Sequence, residues 1–67
     1  MNFADLQLRA EQLGYHFDAL LRLEDGTYAV VLEDYAGQQL EFKGETPQLA
    51  VEVANLSLAR CLEQVPQ

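Results

Sequence analysis

The apolar positions change period along the chain, and each change marks an element. Phe3, Leu6, Ala10 and Leu13 recur on one helical stripe, while Leu8 falls on roughly the opposite side at about 100° per residue. Asn2 stands where a cap for this helix belongs, Asp5 lies in the first turn where the helix dipole favours negative charge, and Gly14 ends the run. The period then drops to two. Phe17, Ala19, Leu21 and Leu23 alternate with His16, Asp18, Leu20, Arg22 and Glu24, and Tyr28, Val30 and Leu32 alternate with Ala29, Val31 and Glu33.

Turn chemistry fixes how these runs pair. Asp25-Gly26 between the first two strands predicts a two-residue type I′ turn. That register sets Leu23 against Tyr28, Leu21 against Val30, Leu20 against Val31 and Ala19 against Leu32. Tyr35-Ala36-Gly37 predicts a three-residue loop, a type I turn closed by Gly37 in the left-handed conformation, with Asp34 facing Gln38. Leu32 then meets Leu40 and Val30 meets Phe42.

Helical spacing returns after Lys43-Gly44-Glu45. Thr46 reads as an N-cap and Pro47 as the first helical residue, where its missing N–H is no loss, and the helix is expected to run to about Gln64 before Pro66. Ala50, Ala54, Ser57 and Cys61 share a face that suits close packing on a sheet. Leu49, Val53 and Leu56 flank it on one side, and Val51, Leu58 and Leu62 on the other. One flank is expected to cover the first helix. The other, taken here as Val51, Leu58 and Leu62, lacks a cover within the chain and predicts self-association or partner docking.

The elements add up to a single α+β domain over residues 1–67, an α-β-β-β-α two-layer sandwich whose three-stranded antiparallel meander is covered on one face by two helices. The open outer face carries an apolar centre of Leu20, Ala29 and Val31, rimmed by Asp18, Arg22, Glu33, Glu41 and Lys43, which is a second candidate contact surface.

Composition narrows the function classes. A chain of 67 residues is near the lower limit for a self-sufficient core. The net charge of −7, from 11 acidic against 4 basic residues, repels nucleic acid and anionic lipid, and Arg9, Arg22, Lys43 and Arg60 form no cluster. No run is long enough to span a bilayer and no signal-peptide pattern opens the sequence, so a cytoplasmic protein is expected. The single cysteine, Cys61, excludes an internal disulfide, in keeping with a reducing compartment.

Little catalytic chemistry can be assembled. The one histidine, His16, and the one cysteine, Cys61, belong to different layers in this register, His16 as an exposed strand residue and Cys61 as a small buried hydrophobe. The neighbouring carboxylates of Glu24-Asp25 and Glu33-Asp34 point to opposite faces of a strand and form no dyad. Neither a phosphate-binding glycine loop nor a calcium-loop spacing is present, so no enzyme activity, cofactor or metal is expected.

The segment Gly26-Thr27-Tyr28-Ala29-Val30, followed by Phe42-Lys43-Gly44-Glu45-Thr46-Pro47 and then Ala50 and Ala54, is similar to the strand-turn-helix pattern of small α-β-β-β-α sandwich proteins of phages and mobile elements. The element order also resembles the double-stranded RNA-binding domain. Where that family carries a lysine cluster at the start of its second helix, this chain has Glu45-Thr46-Pro47-Gln48, and the loop that would enter the minor groove is only Asp25-Gly26.

The function these features predict is a non-enzymatic protein-interaction or regulatory module, acting through the second helix (Val51, Leu58, Leu62) or the open sheet face (Leu20, Ala29, Val31), on a protein partner or a second copy of itself. The alternative is an acidic inhibitor that presents Glu33, Asp34 and Glu41 in place of phosphates to a basic protein surface. Neither reading involves direct nucleic-acid or membrane binding.

Overall fold

The computed structural model describes residues 3–64. The chain forms α1 (Phe3–Gln12), β1 (Tyr15–Arg22), β2 (Tyr28–Asp34), β3 (Gln39–Gly44) and α2 (Pro47–Gln64), in that order. The strands make one antiparallel sheet in the order β1-β2-β3, with α1 against β1 and α2 across β3 and β2. Asn2 and Pro66, expected to bound the two helices, lie outside the described residues.

The local signals explain the element ends. Gly14 stands at φ 83° and its N–H donates to the Glu11 carbonyl at 3.1 Å, so α1 closes with a tightened last turn. Thr46 Oγ1 accepts from the Leu49 N–H at 3.0 Å, capping α2 immediately before Pro47. In the β2–β3 loop the Gly37 N–H donates to the Asp34 carbonyl at 3.2 Å and Gly37 takes φ 82°. Asp34 meets Gln38 as expected, and Leu32 pairs Leu40 while Val30 pairs Phe42.

The first hairpin departs from the expected register. Its loop has three residues, Glu24-Asp25-Gly26, closed by Leu23 N–H to the Thr27 carbonyl at 2.8 Å and Gly26 N–H to the Leu23 carbonyl at 3.0 Å. A type I′ turn requires positive φ at both central residues, and among the described residues only glycines adopt it. Asp25 instead accepts hydrogen bonds from the Thr27 amide (2.9 Å) and hydroxyl (2.6 Å) and leaves the left-handed position to Gly26. The pairing therefore moves by one residue: Arg22 meets Tyr28, Leu21 meets Ala29, Leu20 meets Val30 and Ala19 meets Val31. A bulge between Phe17 and Ala19 absorbs Asp18 and shifts the register again, so that Phe17 meets Leu32 and His16 meets Glu33.

The core lies between the sheet and the helices. Leu6 and Ala10 from α1, Val30 and Leu32 from β2, and Ala50, Ala54 and Leu58 from α2 are buried together, with Leu13, Tyr15, Phe17, Tyr28, Leu40, Phe42 and Val51 packed around them. Burying each of the larger aliphatic side chains contributes about 1.5–3 kcal/mol. Phe3, expected in the buried stripe, is partly exposed and meets the Phe17 ring edge-on at a centroid distance of 4.8 Å. At Gly44 the first turn of α2 closes directly on the strand: a Cβ there would stand 2.7 Å from the Leu49 carbonyl carbon and against the Ala50 backbone. Only glycine fits.

Candidate functional site

α2 is apolar around most of its circumference, so its roll over the sheet decides which flank is left in water. Its buried residues and a contact with α1 show that roll. Arg9 Nη1 donates to Asn55 Oδ1 at 2.8 Å, and Asn55 is fully buried. Counting about 100° per residue from Asn55, Val51, Leu58 and Leu62 fall on the same side, facing α1 and the core, and Leu49, Val53 and Leu56 fall on the side away from α1.

Burial reverses the expected assignment of the two flanks. Leu58 is only 1% exposed and belongs to the core, Val51 is half-buried against it, and Leu62 is half-buried. The uncovered flank is Leu49, Val53 and Leu56, which expose 43%, 39% and 50% of their surface. Their spacing of four and then three residues makes one continuous stripe along the outward side of α2. Because α1 occupies the β1 side and α2 lies over β3 and β2, this stripe lies on the side of α2 turned from α1, toward β3. Cys61, expected to be buried, is exposed.

The outer sheet face also changes membership. Leu20, expected there, pairs with Val30 and so belongs to the helix-facing side, where it stays exposed. Leu21, expected in the core, takes its place opposite Ala29, and Ala19 lies beside Val31. Ala29 and Val31 are buried on this open face between the flanking strands. Two polar pairs rim the centre, His16 Nε2 to Glu33 Oε2 at 3.7 Å and the ion pair of Lys43 Nζ with Glu41 Oε1 at 3.5 Å. Asp34 is engaged in its own loop, its Oδ1 accepting from the Ala36 and Gln38 amides at 2.9 Å each.

An open depression of about 310 Å³ lies where α1 passes into β1, lined by Glu11, Gly14, Tyr15, His16 and Tyr35. It brings one imidazole near one carboxylate and two phenols, with no nucleophile among its lining residues. Cys61 on α2 and His16 on the outer side of β1 stand in different layers. Among the described residues no group of three His, Cys, Asp or Glu side chains is placed to hold a metal ion, and no helix is long and apolar enough to cross a membrane.

Comparison with known proteins gave no matching family, no similar curated protein and no similar solved structure.

Proposed function

We propose that this chain is a non-enzymatic protein-interaction module that docks a protein partner through the outward flank of α2. The observation that carries this reading is the stripe of Leu49, Val53 and Leu56, three aliphatic side chains left in water on one side of the longest helix. Covering roughly half of each side chain contributes about 1 kcal/mol per residue, a useful gain for a domain of this size. An amphipathic groove or helix is the complement such a stripe fits.

Charge supports the same choice of partner. Arg9 is held by Asn55 and Lys43 lies beside Glu41, so the few cations present gather into no phosphate-binding surface. The likeness to the double-stranded RNA-binding domain is one of element order, and RNA binding forms no part of the proposal. The outer sheet face gives the acidic-inhibitor alternative less to work with: Glu33 and Glu41 each have a basic neighbour, and Asp34 is occupied by its loop. A reducing cytoplasm suits the exposed thiol of Cys61.

The test is capture of a partner by the tagged chain under washes of rising salt. Docking through the aliphatic stripe predicts a partner retained at high salt and lost from the Leu56→Glu chain, whose native fold circular dichroism would verify. Release by moderate salt, with Leu56→Glu behaving as wild type, would instead favour a carboxylate-led contact.

A further inference from the structure

The occupant of the α2 flank can be read from the strand beneath it. The sheet has two free edges, and they differ. β1 carries the bulge at Asp18, a device that spoils edge pairing, whereas β3 pairs with β2 without a register break and contains no proline. Asp34 and Gln38 close their hairpin as a hydrogen-bonded pair, and alternation from that pair directs the N–H and C=O of Leu40, Phe42 and Gly44 toward β2. Gln39, Glu41 and Lys43 are left with their backbone groups turned to the open edge. Leu49, Val53 and Leu56 lie on the side of α2 turned from α1, toward this edge.

We infer that a second copy of this chain covers this edge, its β3 pairing antiparallel with β3 about a two-fold axis at Phe42 while the two α2 stripes meet above. This rests on the reading of α2 as the docking helix and names its partner. The register follows from charge. Antiparallel self-pairing must match edge-facing residues with edge-facing residues, which leaves only alternate registers. Centring on Glu41 would set two glutamates directly opposite, a destabilising like-charge pair. Centring on Phe42 sets Glu41 of each copy opposite Lys43 of the other, a pair satisfied twice by symmetry, with about four new backbone hydrogen bonds.

The helices fit the same axis. Strands lie about 4.8 Å apart, so an α2 seated over the boundary of β3 and β2 stands about one strand spacing from the axis. Its mate lies the same distance beyond, which brings the two helices to about 10 Å, the upper end of ordinary helix packing. Phe42, on the helix-facing side and half-buried, meets its counterpart under the joined stripes. The result is a continuous six-stranded sheet with four helices on one face and no unpaired β3 edge.

Sedimentation equilibrium on the full chain tests this. A two-chain mass with a dissociation constant at or below about 100 μM is expected. Glu41→Lys, which sets lysine opposite lysine, and Lys43→Glu, which sets glutamate opposite glutamate, each weaken the dimer about tenfold, and the double exchange restores it. Backbone amides of Glu41 and Lys43 gain protection from hydrogen exchange as the dimer fills. A folded chain that stays monomeric, a dimer indifferent to both single exchanges, or one that the double exchange fails to restore would overturn the proposal. A monomer that still binds a different protein through Leu56 would overturn only the self-pairing, leaving the docking role of α2 intact.

Discussion

Arg9 and Asn55, 46 positions apart, are joined by a 2.8 Å hydrogen bond from the guanidinium to the side-chain carbonyl, which ties α2 to α1. On the helix so tied, Leu58 is buried and Leu56 is exposed. Asn55→Ala removes the acceptor and opens space beside a buried helix contact. The expected loss is about 1–3 kcal/mol of stability, measured by urea unfolding. A loss below about 0.5 kcal/mol, the range of ordinary surface changes, would show that α2 is held without this contact.

Gly44 and Gly14 separate two reasons for glycine. At Gly44 the obstacle is the backbone of Leu49 and Ala50, so Gly44→Ala must push the start of α2 off the sheet, at a cost of about 1–3 kcal/mol. At Gly14 an added Cβ meets open space, and only the positive φ opposes it, at about 1–2 kcal/mol. The distinguishing measurement is the near-ultraviolet signal or amide chemical shifts of residues 46–54, which Gly44→Ala should disturb and Gly14→Ala should leave in place.

The element order, the strand that forms the centre of the sheet, the second hairpin and the start of α2 were legible because each rests on local chemistry: alternation in Tyr28–Asp34, the Gly37 turn, and Thr46-Pro47. The first hairpin was not. Asp-Gly suits the centre of a two-residue turn and equally the last two places of a three-residue loop, and the bonds from Thr27 to the Asp25 side chain select the second. Leu20 and Leu21 are neighbours of equal hydrophobicity, so alternation in β1 could not reveal the shift of face that the Asp18 bulge reconciles. The roll of α2 was hidden for a different reason. Its apolar arc is too broad to choose a side, and the contacts that distinguish the sides, Arg9 with Asn55 among them, are remote in sequence.

Asp25 gives the fold an acid-sensitive turn. The hydroxyl of Thr27, and then its amide, hold the Asp25 carboxyl below its ordinary value of 3.8. A depressed carboxylate stabilises the folded chain at pH above the ordinary value, and the contribution fades as pH falls through the lower folded value. Asp25→Asn should therefore flatten the acid limb of thermal stability between about pH 5 and pH 2 and leave the neutral region nearly level. An acid limb unchanged in Asp25→Asn would assign it to other carboxylates.

The measurement that tests the account most directly compares three tagged chains, wild type, Leu56→Glu and Leu8→Glu, in capture of protein partners, including a differently tagged copy of the same chain, under high-salt washing. Leu8 is somewhat more exposed than Leu56 and equally apolar, but it stands on α1. The outward flank of α2 as the docking surface predicts that Leu56→Glu loses the captured protein while Leu8→Glu keeps it. Equal retention by all three chains would contradict it.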